Sequence, residues 1–235
     1  MVNQRKRVAL ADIEATLAVS RITVQRHLVE LEERKLIRRF HGGAMSLDFS
    51  ENLSDHTIKK TINVEIKRAI AVKAAALVKP GMFIGLDASS TVHYLSEQMF
   101  PSNVTAVTSG IDTFNSLSQN TGITTILSGG RLNPQTKNLA GPEAIETVRR
   151  YHYDLVFISA EWFDPKRGFF DPYEDEAQLK RALIVSASRV AMLLDSTKIG
   201  SQGGVQVAAI DEVSHMVTDN AQDRRLKGIF GSKLI

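Results

Sequence analysis

The sequence predicts an α/β protein in two parts, a small basic helix-turn-helix head and a larger body whose strands alternate with helices. Three observations carry this. Residues 1–45 hold nine Lys or Arg against five Asp or Glu, a net +4, while the other 190 residues hold 20 against 21, a net −1. Two short amphipathic stretches separated by a tight break fill residues 10–31. From Val64 onward, apolar runs of strand length alternate with helical periodicity, the pattern of a parallel sheet covered by helices.

Composition narrows the function classes. With 235 residues, 43% of them hydrophobic and 23% charged, the chain has length for one large domain or two smaller ones, and wholesale disorder is excluded. The absence of cysteine removes disulfides, iron–sulfur clusters and cysteine nucleophiles, and it fits a reducing compartment, the cytoplasm. Lys73 and Lys79 interrupt the best apolar run, so no membrane span is expected. Arg5, Lys6 and Arg7 are followed by no hydrophobic region of a secretory signal. A basic head on a near-neutral body is the charge distribution of a nucleic-acid binder with a separate sensing or catalytic part, or simply a solvated basic face.

In the head, Leu10, Ile13 and Leu17 fall at helical spacing, and Val24, Leu28 and Leu31 do so in the next stretch. Ser20 is placed to cap the second helix, because its hydroxyl can accept from a free backbone N–H of the first turn. Residues 35–45 read as a strand, a Gly42-Gly43 turn and a returning strand, a small wing. Residues 46–62 lack a pattern and read as a linker, which gives domains of 1–45 and 63–235. In the body, strands are expected at 82–87, 103–108, 123–128, 154–159, 189–194 and 213–218. Helices are expected at 64–78, from 90 to 99, at 111–119, from Pro142, at 174–187 and from 221.

Ligands of open α/β sheets bind beyond the carboxyl ends of the strands, so the loops there are the candidates. Asp87-Ala88-Ser89-Ser90-Thr91 follows a strand and opens a helix, where backbone N–H groups and hydroxyls suit an anion; the same residues could merely cap the helix. Gly129-Gly130-Arg131 allows close backbone approach with a guanidinium beside it, or is a turn with a solvated Arg. Glu161 ends another strand. Glu176 and Lys180 are four apart, so a plain surface ion pair is the competing reading. Asp195-Ser196-Thr197-Lys198 joins a short carboxylate to a cation. Such acids, hydroxyls and cations match a polyhydroxylated, phosphorylated small molecule. The six histidines show no metal-ligand spacing, and neither a nucleophile elbow nor a Walker loop is present. Trp162 reads as packing rather than a sugar platform.

Taken together, the motifs resemble the DeoR-type bacterial transcriptional regulators over nearly the whole chain. The head pattern stands as Val19-Ser20, Thr23-Val24, Arg26, Leu28, Leu31, Ile37, Arg39 and Gly42-Gly43-Ala44. The sensor elements stand as Lys67-Ile70-Ala71, Asp87 to Thr91, Gly129 to Leu132, Gly141, Asp154, Glu176 to Ala182 and Asp195 to Lys198. The resemblance implies a winged helix-turn-helix followed by a sensor domain like the sugar-phosphate isomerase and CoA-transferase fold. It implies a repressor of a sugar-catabolism operon, without a cofactor, whose hold on double-stranded operator DNA is set by a phosphorylated sugar, usually as a homo-oligomer. Ser20, Arg21, Thr23, Gln25 and Arg26 would then face the major groove, with Arg38, Arg39 and His41 near phosphates. Asp87, Ser89, Ser90, Thr91, Gly129, Gly130, Arg131, Glu161, Glu176, Lys180, Asp195 and Lys198 would hold the effector. Within that set Asp87 and Asp195 would take sugar hydroxyls, and Lys180 or Lys198 would assist at the phosphate.

Two departures accompany the resemblance. The usual Arg-Arg-Asp of the recognition helix reads Gln25-Arg26-His27, and only about eight residues stand where the family has a first helix. A head lacking that helix is expected to uncover Leu10, Ile13, Leu17, Val24 and Leu28. The alternative from another class is a sugar-phosphate isomerase on the same fold with Asp87 or Glu161 as base, although fold alone does not separate the two and the basic head has no task there.

Overall fold

The computed structural model describes residue 2 and residues 7–34, 36–40, 43–46, 55–99, 103–200 and 204–235. Contacts divide the chain into two units, Met1–Val64 and Glu65–Ile235. In the first, β1 (Arg7–Ala9) leads into α1 (Leu10–Leu17), α2 (Arg21–Glu33), and the wing strands β2 (Ile37–Phe40) and β3 (Gly43–Ser46). Ala18 takes the left-handed conformation at the end of α1, and Ser20 accepts from the Thr23 N–H at the start of α2, so the tight turn is closed from both sides. The wing pairs Phe40 with Gly43 and Ile37 with Ser46, so Gly43, expected in the turn, is the first residue of β3, and Gly42 lies outside the described residues.

The core of the head joins Val8, Leu10, Ile13, Val24, Leu28, Ile37 and Ala44, with Val2 and Leu31 against it. Four of the five residues expected to be uncovered are therefore buried, and Leu17 alone of the five is open, at 58% exposure. A strand that the sequence did not announce contributes to this core, and Val2 packs against it too. β1 pairs with β3, Arg7 opposite Met45 and Ala9 opposite Gly43, and brings Val8 into the core. The linker expectation also needs correction: Asp55–Lys60 forms a helix, α3, which is too short and polar to show a period.

The second unit begins with α4 (Val64–Ala75), β4 (Phe83–Leu86), α5 (Ser90–Ser96), β5 (Val104–Thr108), α6 (Ile111–Leu117) and β6 (Ile123–Leu127). A hairpin of β7 (Arg131–Asn133) and β8 (Asn138–Ala140) precedes α7 (Pro142–Arg149) and β9 (Leu155–Ile158). Then come β10 (Trp162–Asp164), β11 (Gly168–Asp171), α8 (Glu174–Val185), β12 (Val190–Leu193), β13 (Val205–Ala208), β14 (His215–Val217) and α9 (Arg224–Phe230). Six strands form one sheet in the order β6-β5-β4-β9-β12-β14, with every neighbouring pair parallel. All six expected strands are in it. The near-continuous apolar runs are explained by burial on both faces: Leu155 to Ile158 are fully buried.

The chain builds outward from β4 to β6 and then returns to the other side of β4 with β9. The reversal lies between β4 and β9, where doubly wound sheets open a crevice. Between β9 and α8, where no element was expected, β10 and β11 form a hairpin that β13, after β12, extends into the antiparallel sheet β10-β11-β13; on it Phe163 and Phe169 stack at 4.7 Å with Phe230 beside them. Strands of three or four residues carry too few alternations to be read from the sequence; their pairing partners create them.

A head of this size depends on each large core side chain. Leu28→Ala should cost the head about 2–5 kcal/mol and leave the main calorimetric transition of the second unit in place. Amide exchange resolved by residue should show lost protection across the head, in α1, α2 and the three strands that share its core, and none in the second unit; unchanged protection in the head would remove Leu28 from the core.

Candidate functional site

The loop after β4 is fixed before any ligand arrives. Asp87, 2% exposed, uses one carboxylate oxygen to accept from the Ser89 N–H at 2.9 Å and the other to accept from the Ser159 N–H at 2.9 Å. Ser159 follows β9, so this side chain bridges the two strands at which the winding reverses. Lys180 of α8 reaches the same point. Its ammonium donates to Asp171 at 2.6 Å and to the Ser159 carbonyl at 2.8 Å, and lies 3.3 Å from Asp87. Asp171 in turn accepts from the Glu161 N–H at 2.9 Å. Glu161 is ion-paired with Lys198. Five of the expected effector residues, Asp87, Ser89, Glu161, Lys180 and Lys198, are thus one connected set.

This geometry changes two of the roles. Lys180 is not the surface partner of Glu176 that the spacing suggested: it is buried, and its ammonium is already taken by two carboxylates and a carbonyl. Asp87, expected to take a sugar hydroxyl, is buried, and each of its oxygens already accepts a backbone N–H, with Lys180 beside one of them. Burial alone would push the Lys180 pKa down; Asp171, Asp87 and the nearby Glu176 outweigh burial and hold it above the ordinary lysine value. Asp195 is also buried and is occupied locally, capping the short turn Ser196–Lys198 by accepting from the Thr197 N–H at 3.0 Å and from its hydroxyl. Ser196 donates to Asp219 through both its N–H and its hydroxyl, at 2.8 Å each.

Ser89 caps α5, accepting from Val92 N–H at 3.3 Å, while Ser90 and Thr91 are buried in its first turn. The Gly129-Gly130 turn has positive φ at both residues, and a Cβ on Gly130 would sit 2.7 Å from the Ala140 carbonyl, so only glycine fits there. Arg131 and Glu176 line a cleft of about 480 Å³ between the β7–β8 hairpin and the start of α8, together with Asn133, Thr136, Asn138 and Glu174.

Sequence reasoning passed over four residues here. Ser109, Thr113, Thr136 and Asn138 are buried, and the Ser109, Thr113 and Thr136 hydroxyls and the Asn138 carbonyl oxygen find no hydrogen-bond partner among the described residues. Ser109 was in principle visible, because Thr108-Ser109-Gly110 follows β5 as Asp87-Ala88-Ser89 follows β4. Asp171 was hidden in an unassigned loop. Among the described residues no group of three His, Asp or Glu is arranged to hold a metal.

In the head, Arg21, Gln25 and Arg26 are exposed on α2, beside Ile22 at 79% exposure. Ser20 and Thr23 join hydroxyls at 2.9 Å. Arg39 is tied back to α2, its N–H and guanidinium both donating to Glu32, at 2.8 and 2.6 Å. Gln25, Arg26 and Val29 share a cleft of about 640 Å³ with Arg39 and Gly43 of the wing. Arg38 lies on β2, and His41 lies outside the described residues.

Breaking the buried cluster should be severe. Lys180→Met strands two buried carboxylates and should cost about 3–5 kcal/mol in urea unfolding at neutral pH. Because the folded pKa of Lys180 is raised, its contribution is complete below the ordinary lysine value of about 10.4 and is lost only as pH rises beyond it. The deficit of the variant should therefore begin to narrow only in that alkaline range; a loss under about 1 kcal/mol at neutral pH would show that the cation is dispensable.

Comparison with known proteins matches this architecture. Residues 1–49 fit the family model of the DeoR-like helix-turn-helix domain, and residues 62–220 fit that of the DeoR C-terminal sensor domain. The chain is 33% identical over 227 residues to the HTH-type transcriptional regulator GolR of Listeria innocua, covering 96% of this chain and 89% of that protein. It is 32% identical over 219 residues to the HTH-type transcriptional repressor GlcR of Bacillus subtilis, covering 93% and 84%. It is 29% identical over 220 residues to the L-fucose operon activator of Haemophilus influenzae, covering 94% and 88%. With both domain models matched in order, the chain belongs to the DeoR family and is a DNA-binding transcriptional regulator, not an enzyme.

Proposed function

We propose that the chain represses a sugar-catabolism operon and is released from its operator by a phosphorylated sugar. The observation that carries this reading is the pairing of a basic winged head with a prepared crevice at the reversal between β4 and β9. In it Ser89, Ser90 and Thr91 hold the phosphate with Arg131, and the Gly129-Gly130 turn lets backbone come close. Glu161, Glu176, Asp195 and Lys198 lie around the sugar. Asp87 and Lys180 act as positioning residues that hold the loops, since their polar atoms are already engaged. Arg21, Gln25 and Arg26 read the major groove, and Arg38, Arg39 and His41 contact the backbone of the duplex. The partners are operator DNA, the effector and a second copy of the chain, in the cytoplasm. Among the relatives, one name specifies a repressor and another an activator, so the sign of the response is a matter for measurement.

The test is a gel-shift titration of the chain on its own promoter fragment at fixed salt, with a panel of sugar phosphates added. One of them should release the DNA. Tighter binding with the same compound would replace repression by activation, and indifference to the whole panel would refute the effector reading. Arg26→Ala should lose about 1–3 kcal/mol of binding if it contacts a base, with relaxed sequence preference at that position. Ser90→Asp should retain DNA binding and lose the response, because a fixed carboxylate opposes the phosphate; a wild-type response in that variant would place the phosphate elsewhere.

A further inference from the structure

Buried polar atoms without partners are rare in folded proteins, and four in one neighbourhood call for an explanation. Ser109, Thr113, Thr136 and Asn138 are each at least nine-tenths buried. The backbone brings them together. Gly110 forms an antiparallel bridge with Asn138, the Leu139 N–H donates to the Ser109 carbonyl at 2.9 Å, and the Ile111 N–H donates to the Lys137 carbonyl at 3.1 Å. Segment 109–113 therefore runs beside segment 136–139. On its other side Gly110 lies against Ala88, whose Cα would be 2.8 Å from an added Cβ, and that same Cβ would be 3.2 Å from the Thr113 hydroxyl. The four residues thus stand between the Asp87–Thr91 loop and the cleft of Arg131 and Glu176, where Thr136 and Asn138 already form part of the wall.

We infer that Ser109, Thr113, Thr136 and Asn138 form the subsite that recognises the hydroxyls of the effector's sugar chain. Their chemistry selects this part of the molecule. Three hydroxyls and an amide both donate and accept, as a polyol requires. No cation belongs to the group itself, so these four neutral side chains suit hydroxyls better than a phosphate, which Arg131 on the adjoining cleft is left to meet. A site that must complete its own buried hydrogen bonds discriminates strongly against a ligand lacking the matching hydroxyl, because the protein atoms are then left unpaired. This rests on the effector reading above only in taking the ligand to be polyhydroxylated; it does not require the phosphate.

Thr113→Val and Thr136→Val remove one hydroxyl each at nearly constant shape. A hydroxyl that has no partner in the free protein contributes nothing to folding, so the ligand-free melting temperature should stay level or rise. Affinity should fall about tenfold for each variant, the size expected for one hydrogen bond to the ligand, while Thr113→Ser should retain it. Calorimetric titration of the full chain would use hexose 6-phosphates, pentose 5-phosphates, glycerol 3-phosphate, the parent sugars and inorganic phosphate as probes. Lower melting with unchanged affinity would make the hydroxyls structural and overturn the subsite. Unchanged melting with unchanged affinity would leave them to water and also overturn it, with the effector reading intact. A Ser variant as weak as the Val variant would overturn it too. Binding of parent sugars but of no phosphorylated one, weakened in the Val variants, would uphold the subsite and refute the phosphate. Binding of no polyhydroxylated probe to the wild-type chain would refute both.

Discussion

Three strand ends of the sensor sheet and its small companion sheet converge on the Lys180 ammonium. Asp87 comes from the end of β4, Ser159 follows β9, Asp171 ends β11, and Glu161 hangs from Asp171 by its N–H. Two buried carboxylates repel each other and cannot be solvated; a cation between them turns that repulsion into a staple. Each carboxylate also accepts backbone N–H groups from a neighbouring loop. A single side chain on α8 thereby sets the positions of loops that are far apart in sequence, and the crevice between β4 and β9 takes its shape from that arrangement.

The site is paired where it is charged and unpartnered, among the described residues, where it is neutral. The ionised groups nearest the reversal are paired in the free protein: Lys180 with Asp171 and Asp87, Lys198 with Glu161. The neighbouring atoms without a partner among the described residues are hydroxyls and an amide oxygen after β5, on α6 and around the start of β8. A regulator benefits from this division. On the proposed reading, paired charges hold the loops without a ligand, while neutral groups that gain partners from a ligand would add their energy to the liganded state alone. That difference is what any shift between DNA-bound and released forms must draw on.

The head follows a different logic. Its core is small, and it is completed by β1, which adds to the wing and brings Val8 in. The exposed side of α2 presents Arg21, Ile22, Gln25 and Arg26, a mixture of cation, amide and apolar tip suited to base edges and methyl groups. Arg39, by contrast, is bound to Glu32 and ties the wing to the helix, so its guanidinium would have to leave a carboxylate to reach a phosphate.

The sequence by itself determined the elements that are long enough to carry a period. Two head helices, the wing, six parallel strands and the helices between them follow from apolar spacing, from Ser20 and Ser89 as caps, and from glycine turns, all local properties of the chain. Order in the family's motifs was legible as well, and so were the strand-end loops that hold Asp87, Glu161 and Asp195. What the tertiary structure alone decided is who meets whom. Lys180 read as a partner of Glu176 one turn away, yet burial beside β11 gives it Asp171 and Asp87, nine and 93 residues distant. The short strands β1, β7, β10 and β13 exist because a neighbour completes their hydrogen bonds, which no local pattern records. Ser109 stands in a strand-end loop that the sequence shows, yet that its hydroxyl and those of Thr113 and Thr136 find no partner among the described residues was silent, because whether a hydroxyl is satisfied depends on what the fold places within reach of it.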